Sequence, residues 1–203
     1  LPSKEPGSRT IHPPTEPVQV RTRTLDLPDR LSRIGLVGES PALRRIERTI
    51  AAAASVDLPV LITGESGTGK ELVARAIHRL SERAQGPFIS QNCTAIPAGL
   101  FEADLFGSER GAFTVADRTR SGFIRKAQGG TFLLDEIGDA DLSSQAKILR
   151  VIEEKALRPV GGTRSVPIDV RFMATTQKDI DLLVEGGGFR GDLFSRIAGL
   201  RIH

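Results

Sequence analysis

The 203 residues are 39% hydrophobic and 26% charged, which supports one core of ordinary size and excludes two comfortable domains. A single cysteine, Cys93, excludes an internal disulfide framework, the scattered His12, His78 and His203 offer no metal-ligand spacing, and the lack of Trp and Tyr argues against an aromatic platform for single-stranded nucleic acid. The net charge of +3 marks no nucleic-acid surface either, because residues 1–33 hold six of the 28 Lys/Arg against four of the 25 Asp/Glu and leave the rest nearly neutral.

Residues 1–33 carry six of the 12 prolines and few large apolar side chains. Such a segment cannot bury enough surface to offset its ordering entropy, which predicts a flexible linker. Periodicity starts after Ile34. Ser40 is a candidate N-cap, Pro41 suits a first helical turn, and Leu43, Ile46, Ile50 and Ala53 recur on one helical face. The basic residues of Arg44-Arg45-Ile46-Glu47-Arg48 read as a solvated face of that helix.

An apolar run, 58–63, predicts a strand buried on both faces, followed by a glycine-rich turn over 64–69 and a helix through Leu72, Ala76 and Leu80. Further strands are expected at 87–90, 131–135 and 170–175, with helical patterns between them, so the fold class is α/β with a parallel sheet and crossover helices. Two insertions interrupt this rhythm. Residues 107–121 are polar around an apolar tip, and 157–168 read as a hairpin turning at Gly161-Gly162. The chain opens at Leu1 instead of Met and ends on Arg201-Ile202-His203 without a turn signal, which predicts a piece of a longer protein. No segment nears the roughly 18 apolar residues of a membrane span. No secretory leader opens the chain, so a soluble cytoplasmic protein without a membrane partner is expected.

Gly64-Glu65-Ser66-Gly67-Thr68-Gly69-Lys70 fits the phosphate-binding loop pattern between a predicted strand and a predicted helix. Glycines let successive amides point inward around phosphates, Lys70 reaches the terminal pair, and the helix dipole adds positive potential. Glu71 stands where Ser or Thr usually ligates magnesium. Phe132-Leu133-Leu134-Asp135-Glu136 delivers two carboxylates to the sheet edge: Asp135 to bind magnesium, directly or through water, and Glu136 to polarise the attacking water. Asn92 could hydrogen-bond Glu136 and restrain it, or simply end a strand. Thr176 and Gln177 close the fourth strand beside the expected γ-phosphate. Arg190 and Arg196 could reach a neighbouring subunit's phosphate, although spacing alone favours surface ion pairs.

These residues resemble the AAA+ ATPase domain of bacterial enhancer-binding proteins, the NtrC-like activators of sigma-54-dependent transcription. The resemblance runs from about Ile34 to His203. It is carried by the phosphate loop with Glu71, by Asn92-Cys93, Glu102-Ala103-Asp104-Leu105-Phe106-Gly107 and Gly111-Ala112-Phe113-Thr114, and by 129–137 and 189–193. It implies a P-loop AAA+ core, a five-stranded parallel sheet in a three-layer αβα sandwich, with the helical lid and a DNA-binding domain for promoter or enhancer DNA lying beyond this chain. It further implies ATP and Mg2+ as cofactors, a homo-oligomeric and usually hexameric ring, and remodelling of the sigma-54 RNA polymerase holoenzyme. By the same resemblance Asp135 and Glu136 form the second ATP motif, and Asn92 restrains the glutamate. Arg190 and Arg196 serve the neighbouring site, Ile34, Leu36 and Val37 pack on adenine, and the 157–168 hairpin moves with the sigma-54 loop.

That loop departs from the family's Gly-Ala-Phe-Thr-Gly-Ala, reading Gly111-Ala112-Phe113-Thr114-Val115-Ala116 here. A β-branched valine strongly disfavours the positive φ that glycine accepts. Gln177 and Gly191 are smaller departures, from asparagine and an acidic residue. Two other readings follow: an ATPase acting on a different client, or a weakly hydrolysing, nucleotide-gated interaction module.

Overall fold

Ser40 is extended and its hydroxyl accepts the Leu43 amide at 3.2 Å, so helix α1, Pro41–Ala54, starts with proline in a position that needs no amide. Ile50, Ala53 and Ala54 of α1 are buried, while Arg44, Arg45 and Arg48 stay in solvent. The computed structural model describes Gly35 and residues 40–94, 98–109 and 120–203. The expected linker, 1–33, lies outside the described residues.

Strand β1, Val60–Thr63, leads through the glycine turn into α2, Lys70–Leu80, and then β2, Phe88–Asn92. Helix α3, Ala98–Phe106, runs into the short β3, Gly107–Ser108, which pairs antiparallel with β4, Arg120–Ser121. After α4, Phe123–Lys126, comes β5, Thr131–Asp135, then a 3-10 turn over Ile137–Asp139 and α5, Leu142–Glu154. The second insertion is a hairpin of β6, Ala156–Leu157, and β7, Val166–Pro167. Strand β8, Arg171–Thr176, is followed by α6, Ile180–Glu185, α7, Gly191–Ile197, and β9, Leu200–Ile202.

Five strands form one parallel sheet in the order β2-β5-β8-β1-β9. Alternate residues of the central strands feed opposite layers. Leu61, Phe132, Leu134 and Phe172 pack with Ile148 of α5 and Leu193 of α7, whereas Val60, Ile62, Leu133 and Met173 pack with Ile50 of α1 and Ile77 of α2. Both faces are covered, giving the expected three-layer αβα architecture. The helix expected through Leu72, Ala76 and Leu80 forms, with Leu80 packed on the core, but Leu72 lies off its buried face. It is exposed, and Val73, Ala76 and Ile77 turn inward.

The two insertions share a neck. Ser108 bridges Val160 of the hairpin, and the chain pair is locked by Glu109 N to Val160 O at 3.0 Å and Val160 N to Gly107 O at 2.9 Å. A Cβ on Gly122 would lie 2.3 Å from Leu105 O, so only glycine lets the returning strand pass. Among the described residues no helix is long and apolar enough to cross a membrane.

His78 on α2 is buried, with Nδ1 2.9 Å from Thr131 Oγ1. Burial, reinforced by the charges of Arg171, Arg79 and Arg75, pulls its pKa below the usual value despite an opposing hydrogen bond at Gly86. The unfolded chain therefore takes up the proton first as pH falls through about 6.5. His78 adds no pH dependence above that range and erodes stability below it. The urea midpoint is expected to drop between pH 7.5 and 5.5, and His78→Gln should flatten that slope.

Candidate active site

The carboxyl ends of β1, β5 and β8 meet where neighbouring strands are not consecutive in the chain, the position at which open α/β sheets bind ligands. The glycine loop starts there, its Gly64 amide held by Thr176 O at 3.3 Å. Gly67 and Gly69 have φ of 79° and 87°, a region where a side chain would be strained. Thr68 folds the loop on itself by donating from Oγ1 to Glu65 O at 2.8 Å. The amides of Ser66, Gly67, Gly69, Lys70 and Glu71 find no acceptor among the described residues, and the last of them open the 11-residue helix α2. This is an anion cradle in donor chemistry and in polarity.

Lys70 is 8% exposed. Its ammonium donates to Gly64 O and Glu65 O, both at 3.0 Å, and lies 3.4 Å from Glu136 Oε1. One cation thus links the loop to the end of β5. Glu71 is turned away and pairs with Arg75 one helical turn on, at 2.6 Å. Beside the loop opens a cleft of about 380 Å³ lined by Ile46, Ile62, Val73 and Ile202 together with Lys70. Its apolar wall suits a planar base, and the sequence reading missed these residues because they come from four separate elements. Ile34, Leu36 and Val37, and the loop Gly111 to Ala116, lie outside the described residues.

At the end of β5 the Asp135 carboxylate is fixed on both oxygens. Oδ2 accepts from Asn92 Nδ2 at 2.9 Å and Oδ1 from the Thr175 hydroxyl at 2.5 Å. This corrects the expected Asn92–Glu136 pairing. The β2–β5 register sets Asn92 opposite Asp135, while the chain turns at Glu136 and carries the next carboxylate toward β8. Glu136 is left-handed, with φ 54° and ψ 52°, a conformation that costs a non-glycine residue ~1–3 kcal/mol. Its amide donates to Thr175 Oγ1 at 3.0 Å, and its Oε2 accepts the Gln177 amide at 2.9 Å.

Thr176 reaches the phosphate loop through its carbonyl. Its buried hydroxyl instead accepts the Lys178 amide at 3.0 Å. Arg190 and Arg196 are not brought to this site within one chain. Arg190 pairs with Asp192 at 2.7 Å and Arg196 with Glu153 at 2.9 Å, both on the surface. Buried Gln145 fixes the segment ahead of α7, accepting the Arg190 amide at 2.8 Å and donating to Gly188 O at 3.1 Å. Cys93 is buried, and desolvation with the charges of Asp135, Asp139 and Glu136 pushes its thiol up to about 12, so it behaves as a small core residue.

A parallel sheet of this order, a glycine loop opening a helix, a buried lysine and an Asp-Glu pair at the adjacent strand end define a P-loop NTPase fold of the AAA+ class. Residues 36–203 match the sigma-54 interaction domain, and the chain belongs to that family. It is 46% identical over 196 residues to the Nif-specific regulatory protein of Sinorhizobium fredii, covering 97% of this chain and 32% of that protein. Over 168 residues it is 48% identical to the DNA-binding transcriptional regulator NtrC of Klebsiella pneumoniae, covering 83% and 36%. A solved structure of NtrX from Brucella abortus in complex with ATP matches with a TM-score of 0.75 at 39% identity, covering 82% of this chain and 36% of that one. The chain spans about a third of the length of the curated relatives it matches.

Proposed function

We propose that this chain binds ATP with magnesium and hydrolyses it to ADP and phosphate, as the motor of a ring-forming activator that remodels sigma-54 RNA polymerase at promoters. The observation that carries the reading is the meeting of Lys70 and Glu136 at 3.4 Å beneath the loop amides, with Asp135 fixed next to them. The amides and Lys70 would take the phosphates, and Glu136 would orient and polarise the attacking water. Among the described residues no cluster of three His, Cys, Asp or Glu side chains forms a protein cage for a metal. That donor set fits magnesium held mainly by phosphate and water oxygens, with Asp135 as the protein carboxylate. When bound, the ion neutralises charge on the β- and γ-phosphates.

The client is inferred from the family match and from the regulators among the relatives; DNA binding is assigned to a part of the protein beyond this chain, and the site of action to the cytoplasm. Val115 favours a second reading, an intact ATPase with another client. Trapping the full-length protein with ADP and aluminium fluoride, then testing retention of sigma-54 on a native gel, separates the two. Wild-type retention is expected. Retention only in Val115→Gly assigns the natural chain to a different partner, and failure of both alongside normal phosphate release removes sigma-54 as the client.

A further inference from the structure

We infer that Thr175 is a positioning residue of the hydrolytic site: its hydroxyl couples the Asp135 carboxylate to the Glu136 backbone and holds Glu136 in its left-handed conformation. The inference rests on the ATPase reading above.

Thr175 is fully buried inside β8, opposite Ile62 of β1 in the register, so its backbone is fixed from the strand beside it. A β-branched side chain in a packed strand has restricted χ1, which aims the hydroxyl without a search among rotamers. A hydroxyl carries one proton and can accept through its lone pairs. Here the proton goes to Asp135 Oδ1 and a lone pair takes the Glu136 amide, at 2.5 and 3.0 Å. No other group among the described residues donates to Asp135 Oδ1 or accepts from the Glu136 amide. Without the hydroxyl, Asp135 keeps only its bond from Asn92. Glu136 keeps its side-chain contacts to Lys70 and to the Gln177 amide, but the backbone between the two carboxylates loses its tether. The loop amides and Lys70, which would take the phosphates, make no hydrogen bond to this hydroxyl. The hydroxyl therefore acts on the chemical step through Asp135 and Glu136 without touching substrate.

The test uses the full-length protein with Thr175→Val, which keeps the branched shape and removes the hydroxyl, and Thr175→Ser, which keeps the hydroxyl. Turnover in Thr175→Val is expected to fall about 10- to 100-fold while Kd for a fluorescent ATP analogue stays within about threefold, and Thr175→Ser is expected to restore turnover. Normal turnover in Thr175→Val overturns the inference. So does a Thr175→Ser variant as impaired as Thr175→Val, which would make the effect one of packing, or a loss of analogue affinity matching the loss of turnover. Thermal melts confirm folding, and Thr175→Ala is the second hydroxyl-free variant if the valine form does not fold. Glu136→Gln run in parallel separates the levels. If wild type releases no phosphate, the hydrolase reading falls and this inference with it. If Glu136→Gln turns over normally, Glu136 is not the base and its positioning by Thr175 carries no function. An inactive Glu136→Gln beside an unimpaired Thr175→Val overturns this inference alone.

Discussion

Glu136→Gln is expected to bind ATP at least as tightly as wild type and to lose turnover by about a hundredfold or more, the scale of a missing general base. The substitution keeps the side chain's shape, and the amide oxygen can still accept from the Gln177 amide that now meets Oε2 at 2.9 Å. What disappears is the negative charge 3.4 Å from Lys70. Lys70 then loses a competitor for its ammonium, which favours phosphate binding, while the water that Glu136 would polarise loses its proton acceptor. Phosphate release and equilibrium binding of a non-hydrolysable analogue read the two effects separately. Turnover retained at wild-type rate would remove Glu136 from the role of base, and weakened binding would show that the carboxylate organises the loop instead.

The parts of this site visible in the sequence are those whose chemistry is carried by neighbours in the chain. Glycines and a lysine at fixed offsets specify the cradle, and an apolar run ending in Asp135-Glu136 specifies both a buried strand and what it presents at its end. Partners chosen by the sheet were not visible. Asn92 meets Asp135 because of the β2–β5 register, and the residue name alone could not distinguish Asp135 from Glu136. Thr175 sits in a run whose composition already explains a strand, so nothing marked its hydroxyl as different from that of Thr176. The helix expected through Leu72, Ala76 and Leu80 forms with Ala76 buried and Leu80 packed on the core, but the geometry with which it leaves the loop leaves Leu72 exposed and buries Val73 and Ile77 instead. Charge partners divided in the same way. The Arg190–Asp192 pair is local, whereas Arg196 finds Glu153 on α5, 43 positions away.

Those two arginines lead to the other large expected effect. Each is paired at the surface of its own chain, with Arg190 41% and Arg196 60% exposed, so neither is committed to the core. Exposed pairs contribute little to stability and exchange readily for a phosphate, which accepts the planar guanidinium through two bonds. If the ring reading holds, Arg190→Ala or Arg196→Ala lowers turnover by about a thousandfold, as loss of an arginine finger does, while nucleotide binding persists. Specific activity of wild type should then rise with protein concentration, since a site is complete only when a second copy faces it. The stronger test is mixing. A Glu136→Gln subunit still offers both arginines, and an arginine-to-alanine subunit still holds a complete loop and Glu136, so their interface joins one intact half from each. Combining the two inactive proteins is expected to recover turnover that neither has alone. The arginine whose variant complements is the one acting across the interface. For Arg196 the alternative is specific: if its variant fails to complement and Glu153→Gln is equally impaired, the pair that ties α7 to α5 within one chain is what activity needs.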